Sequence, residues 1–338
     1  MEIMTNYSAV EDYSERSLRK MTFGGHIPVM PEEVILGLAI KSDGCYVDAT
    51  LGCGNHSRMI LDRLGENGRL IVIDQDPEAI ALAQRLFRDD KRVLILHGSF
   101  TNLQNWAFEF QFCTQVSGIL FDLGMSTRQL EVSGRGFSFQ RDEVLDMRMD
   151  PSQGSPVHKW LNSATEQEIS EILHEFGEER YAKRIAKAII KARKENYLER
   201  TTQLVKAISN ANFQVERRRN PATRTFQALR IFANDELGAL TDGLKQAHNI
   251  LIDKGRLLVL SYQSLEDRIV KRFIYFMASG GHNHRLSQVP VKGRLWTPEL
   301  IRINRGQKAT LAEVKGNPAA RSAILRIAEK ITITAGTE

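Results

Sequence analysis

The chain has 338 residues, 42% of them hydrophobic, and its 46 basic against 41 acidic side chains leave a net charge of +5. No run reaches the roughly 18 apolar residues of a membrane span, and the acids Glu2, Glu11, Asp12 and Glu15 speak against a secretory or organelle leader. The cysteines Cys45, Cys53 and Cys113 show no paired or metal-type spacing, so a reducing, cytoplasmic setting without a bound metal is expected.

The length exceeds a typical domain of about 100–200 residues, so two domains, or one domain with an insertion, are expected. From residue 42, short apolar runs alternate with helical stretches. Residues 45–50 (CYVDAT) read as a strand and 56–64 as a helix. Residues 70–74 (LIVID) form a second strand, after which Asp76-Pro77 opens a helix, with Asp at the N-cap and Pro in the first turn. Residues 92–97 (RVLILH) and 118–122 (GILFD) supply two more strands. Such runs argue for a parallel sheet covered on both faces, an α/β fold.

After Gly124 the pattern changes. Residues 126–222 offer helical patterns and no buried strand. In 178–196, Tyr181, Ile185 and Ile189 share a stripe while Lys183, Arg184, Lys187, Lys191 and Lys194 lie largely elsewhere. A long helical pattern runs from about 222 to 251, with Gly238 or Gly243 as candidate breaks. Strand chemistry returns at 256–262 (RLLVLSY) and near 323–327. Those late strands need partners, so the expected organisation is a sheet domain (22–125 and 223–338) interrupted by a helical substrate-recognition insertion (126–222). Residues 1–21 are expected to be a disordered extension.

The first strand ends in Asp48-Ala-Thr-Leu-Gly52-Cys-Gly54-Asn55-His56. Two glycines between a strand and a helix let the backbone turn tightly and approach a ligand. Asp74 ends the next strand, where a carboxylate can accept both ribose hydroxyls of an adenosine cofactor. A nicotinamide dinucleotide would share this pattern, but it wants a third glycine where this chain has Ser57, to seat a pyrophosphate on the helix N-terminus. S-adenosylmethionine has no phosphate, so the missing glycine favours the methyl donor.

Asp122 closes the fourth strand at the crevice where open α/β sheets bind ligands; it either caps the next loop or faces the ligand. Acceptors beside an exocyclic amine could hold its lone pair toward a sulfonium methyl, and a carboxylate favours the positive charge that develops. The Asn/Asp-Pro-Pro-aromatic signature of many amino-methyltransferases is absent.

The strings GRGFSF (134–139), LDMRMD (145–150), FGEERYAKRIAKAI (176–189), ATRTFQALRIF (222–232), SLEDRIVKRF (264–273) and NPAARSAILRIAEK (317–330) closely resemble the bacterial 16S rRNA cytosine-N4 methyltransferase family, in order from about His26 to Lys330. The resemblance implies a Rossmann-like, S-adenosylmethionine-dependent methyltransferase with an inserted helical substrate domain, acting on a decoding-region cytidine of 16S rRNA in the assembled small ribosomal subunit. It also implies a cofactor pocket of Gly52, Gly54, Asn55, His56, Asp74, Phe100, Asp122 and Gln129, with Phe100 covering the adenine and Asp122 orienting the amine. Asn55 stands where the family carries Gly, and Tyr262-Gln263-Ser264 where its S-F-H-S-L-E-D motif carries F-H-S. Asn tolerates left-handed geometry, and Gln263 keeps hydrogen bonding without titrating near neutrality, so activity is expected to be retained. Because the resemblance starts near His26, residues 1–20 are expected to be dispensable.

Arg217-Arg218-Arg219, with Arg224 nearby, and the helix carrying Lys183, Arg184 and Lys187 are the candidate RNA contacts, since clustered cations can track a phosphate backbone. His282 and His284 lack a third ligand in local sequence and read as loop residues. Arg148 and Arg268 are candidate ion-pair partners for some of Asp146, Asp150, Glu266 and Asp267, and Met147 and Met149 read as packing residues.

Overall fold

A computed structural model describes residues 27–112, 115–131, 133–211, 220–280 and 297–332. After α1 (Pro31–Leu38) come β1 (Cys45–Asp48), α2 (Asn55–Leu61), β2 (Arg69–Asp74), α3 (Pro77–Leu86), β3 (Val93–His97), α4 (Leu103–Glu109), β4 (Val116–Asp122) and α5 (Thr127–Glu131). Four helices follow, α6 (Val157–Ser163), α7 (Glu166–Gly177), α8 (Ala182–Glu195) and α9 (Thr201–Ser209), and then α10 (Ala222–Asn234) and α11 (Glu236–Ile250). The chain returns to the sheet with β5 (Leu251–Ser261), α12 (Ser264–Ala278), β6 (Leu300–Arg302), β7 (Gln307–Lys308), α13 (Leu311–Gly316) and β8 (Ile324–Lys330).

The strands form one sheet in the order β3-β2-β1-β4-β5-β8-β6, with β7 also on β8. β1 to β5 are parallel, with Val47 opposite both Ile71 and Ile119, and Ile119 opposite Leu257. The late strands depart from the all-parallel expectation. β8 runs antiparallel to β5, with Leu258 opposite Ile327, and β6 and β7 pair antiparallel to β8.

Alternation along each strand builds both faces. Val47, Ile71, Ile73, Ile119, Phe121, Leu257 and Val259 fall in one apolar cluster, whereas Tyr46, Leu70, Val72, Leu120, Leu258 and Leu260 fall in the other. This is the period of two of a sheet buried on both sides, each such side chain contributing roughly 1.5–3 kcal/mol relative to exposure. Ile119→Ala, at a wholly buried centre, should cost about 2–5 kcal/mol.

A third apolar cluster spans Phe137 to Leu229 and takes in Ile169, Leu173, Ile185, Ile189 and Leu204, together with Phe226 of α10. Among the described residues 126–222 there is no strand, only an isolated bridge between Val144 and Arg200. The stripe read from 178–196 is a helix that begins at Ala182 rather than Glu178, because Glu178 takes a left-handed φ of 47° and ends α7. Likewise the 222–251 pattern breaks at Asp235 (φ 46°), not at Gly238 or Gly243. Asp is among the few residues that tolerate this geometry. Gly243 stays helical and serves packing: a Cβ there would lie 2.5 Å from the Phe100 ring.

Candidate active site

The strand order reverses between β1 and β4, so their carboxyl ends splay apart and leave a crevice. The β1 end is extended by two bonds, Ala49 N–H to Leu120 O and Leu51 N–H to Ile73 O, both 2.9 Å. The chain then turns through Gly52 (φ 52°) and Gly54 (φ 77°), closed by Gly54 N–H to Leu51 O at 2.8 Å. Glycine meets these positive angles without Cβ strain. Asn55 opens α2 as an ordinary helical residue, only 6% exposed, so the position needs no left-handed geometry.

Asp74, at the β2 terminus, is fixed by two backbone donors: Gly52 N–H to Oδ2 and Asp76 N–H to Oδ1, both 2.8 Å. Burial pushes its carboxyl up to about 6, the two backbone bonds oppose this, and the nearby Asp76 and Asp48 add to it. The buried Asp48 binds the Ser57 hydroxyl at 2.6 Å, and burial raises its pKa as well. Phe100 follows β3 and meets Phe121 edge-to-face with centroids 5.3 Å apart. Gln129 is buried, its Oε1 accepting Ser126 N–H at 3.0 Å and its Nε2 donating to Asp76 at 2.8 Å.

Asp122 is held from three sides. Its N–H donates to Thr50 Oγ1 at 2.6 Å, Tyr262 Oη donates to its Oδ1 at 2.7 Å, and His56 Nε2 lies 3.5 Å from its Oδ2. Burial and the adjoining Asp122 charge push the Tyr262 phenol well above its ordinary range, so it stays a donor at neutral pH. Glu266 accepts the N–H groups of Tyr262 (2.9 Å) and Gln263 (3.1 Å) at the start of α12. Burial raises Glu266 to about 7 against the opposing charge of Arg230, whose guanidinium is bound bidentate by Glu236 at 2.6 and 2.7 Å.

Asp74, Phe100, Asp122, Gln129, Arg230, Tyr262 and Glu266 line one cavity of about 340 Å³, within the range of ligand sites. The sequence-derived Gly52, Asn55, His56, Asp74, Phe100, Asp122 and Gln129 all face it, and Gly54 lies within the turn behind Gly52. A carboxylate offers about four acceptor positions, and Asp74 uses two on the backbone, which leaves capacity for a ribose diol. Among the described residues the cavity is lined by Asp74, Asp122 and Glu236, together with Glu266, whose proton is held up to about 7, against one guanidinium already held by Glu236. That balance suits a sulfonium and an ammonium and repels a pyrophosphate, so the donor set fits S-adenosylmethionine and disfavours a dinucleotide.

Lys183, Arg184 and Lys187 are exposed on α8 and do not line the cavity, while Arg217, Arg218, Arg219, His282, His284 and the 1–21 extension lie outside the described residues. Among the described residues, no group of His, Cys, Asp and Glu could hold a metal, and no helix is long and apolar enough to cross a membrane. Arg148 pairs with Asp146 at 2.6 Å, Asp267 with Arg326 at 2.7 Å, and Arg268 with Glu178 at 3.0 Å. Sequence reading missed the roles of Thr50, Tyr262, Arg230 and Arg135. The signals for Tyr262 were its place at the end of the 256–262 strand run and in the Tyr262-Gln263-Ser264 departure from the family motif.

A sheet of this order with strand-end acids around a glycine turn defines an S-adenosylmethionine-dependent methyltransferase. Residues 24–331 match the model of the MraW methylase family, and the chain belongs to that family. Among solved structures, an rRNA methylase from Streptococcus thermophilus is similar at 10% identity and a TM-score of 0.40, with 89% of this chain and 95% of that chain covered. A Streptococcus mutans protein assigned as a methyltransferase, solved in complex with S-adenosylhomocysteine, is similar at 11% identity and a TM-score of 0.42, covering 90% and 100%. Fibrillarin from Aeropyrum pernix, with S-adenosylmethionine bound, stands at 8% and 0.38, covering 87% and 74%. These likenesses are distant, and the assignment rests on the family match.

Proposed function

We propose that this enzyme transfers a methyl group from S-adenosylmethionine to N4 of a decoding-region cytidine in the 16S rRNA of the small ribosomal subunit, in the cytoplasm. The observation that carries the chemistry is Asp122: a carboxylate at the cleft, bound by the Tyr262 hydroxyl, on a residue whose backbone N–H Thr50 Oγ1 fixes, and adjacent to the glycine turn. The long motif strings quoted above support the choice of substrate.

Bound in the cleft, the cofactor supplies an electrophilic methyl. The chain holds it with Asp74 on the ribose hydroxyls, Phe100 beside the adenine, and the Gly52–Gly54 turn and Asn55-His56 near the amino-acid end. Asp122 accepts an N–H of the target amine, which turns the nitrogen lone pair out of ring conjugation and toward the methyl. As N4 takes the methyl, Asp122 would meet the positive charge that develops on the amine, and the amine proton would pass to bulk water. Residues 126–222 serve as the RNA-recognition insertion, with Lys183, Arg184 and Lys187 presenting charge to phosphates.

Incubating the protein with methyl-labelled cofactor and small subunits lacking the modification, followed by nucleoside analysis, tests this reading. N4-methylcytidine is the expected product. Label on C5 of cytosine, on single-stranded DNA in preference to subunits, or nowhere would overturn it.

A further inference from the structure

Asp76 is 2% exposed and collects four partners. It caps α3 through Glu78 N–H (3.0 Å) and accepts Gln129 Nε2 (2.8 Å) and Arg135 Nη2 (2.6 Å), while its own N–H donates to Asp74. Arg135, itself 9% exposed, turns its other nitrogen to the carbonyls of Met149 (2.7 Å) and Arg148 (3.2 Å), and its own carbonyl accepts Met147 N–H at 2.8 Å. One guanidinium therefore ties the cofactor strand's following helix to the 145–150 loop. The fork geometry of arginine permits this double grip; a lysine ammonium satisfies one side only.

The loop is held in an unfavourable shape. Met147 has a φ of 60°, a conformation that persists in a non-glycine residue only when its surroundings impose it. Asn234 supplies the rest of the grip, donating to Met147 O at 2.8 Å and accepting Met149 N–H at 2.7 Å. The outcome is that the Met149 side chain reaches the cavity wall beside Gln75, whose Nε2 meets its sulfur at 2.9 Å, one residue from Asp74.

We propose that Arg135 is a positioning residue that holds Met149 as an apolar clasp over the adenosine end of the cofactor cleft, so that the inserted region closes the pocket without either residue taking part in the chemistry. The clasp rests on the cofactor placement given above.

Calorimetric titration of S-adenosylhomocysteine into the full chain tests it, with M149A, R135K, the double variant, M149L and D74N compared. M149A and R135K should each weaken binding by about tenfold, the worth of some 50 Å² of apolar contact. The double variant should be no weaker than the weaker single one, because both remove the same contact. M149L should bind within about twofold of native, since it keeps the apolar cover. M149A binding as tightly as native overturns the clasp, whether or not R135K folds, and so do multiplicative losses in the double variant. D74N weakened with M149A unchanged removes the clasp and leaves the cofactor placement standing; both unchanged removes both.

Discussion

The hydroxyl of Tyr262 donates to Oδ1 of Asp122 at 2.7 Å, across 140 residues of chain. It joins the end of β5 to the end of β4 and leaves Oδ2 toward His56 and the cleft. A carboxylate that must meet one amine N–H gains from having its rotamer set in advance. Tyr262→Phe keeps the ring and deletes only that bond. The expected result is a fall in kcat of about three- to tenfold, the worth of one hydrogen bond, with cofactor affinity within about twofold of native. Single-turnover methylation beside cofactor titration separates the two quantities, and an equal loss in both would show that Tyr262 only shapes the pocket.

Asp74 sets a pH limit on cofactor binding. Its folded pKa lies near 6, above the ordinary 3.8, because it is buried. The ionised form is the better acceptor for ribose hydroxyls, so affinity should be level above about pH 7 and fall as the pH drops through about 6, by up to about tenfold per unit. Titration of S-adenosylhomocysteine across this window should show the decline in native protein and weaker binding with a shallower decline in Asp74→Asn, where Glu266, which lines the same cavity, still titrates near 7. A flat native profile would contradict it.

Glu266 gives a pH dependence to stability instead. The folded protein keeps its proton up to about 7, against an ordinary 4.5, so the folded state holds more protons than the unfolded one between these values. Stability therefore falls as pH rises through that window. The penalty is absent below about 4.5 and complete above about 7, on the order of 3 kcal/mol. Glu266→Gln keeps an oxygen for the Tyr262 and Gln263 N–H groups while removing the titration. Denaturant unfolding at about pH 5 and pH 8 should show a smaller loss of stability in the variant, and equal losses would contradict the assignment.

The basic face of α8 is testable through salt. Lys183 and Lys187 are exposed on the side opposite the buried Ile185 and Ile189. Reversing both to Glu should raise the RNA KM by about tenfold and lower the log–log salt slope by about 2, leaving cofactor affinity unchanged. An unaltered salt slope would place the RNA elsewhere.

What sequence could show followed from local chemistry. The strands of the parallel half were legible because each is an apolar run, buried on both faces in β1, β2 and β4 and half-buried in the edge strand β3, and Asp76-Pro77 announced α3 by capping rules. The glycine turn, Asp74 and Asp122 were legible because each ends a strand. The break at Asp235 was not, since two glycines nearby looked like better breakers; Phe100 packing on Gly243 is a tertiary contact with no trace in local sequence. Nor could spacing show the antiparallel return of β8, or that Tyr262 reaches Asp122 and Arg135 reaches Asp76. Those pairs meet only once the sheet has brought distant strand ends together.

The cofactor cleft is tested most directly by a crystal structure of the chain with S-adenosylhomocysteine. The ribose hydroxyls should lie about 2.6–3.0 Å from the Asp74 carboxylate, with the adenine against Phe100, the amino-acid end over the Gly52–Gly54 turn, and the sulfur facing Asp122. A ligand seated outside this crevice, or bound with Asp74 making no contact to it, would contradict the placement.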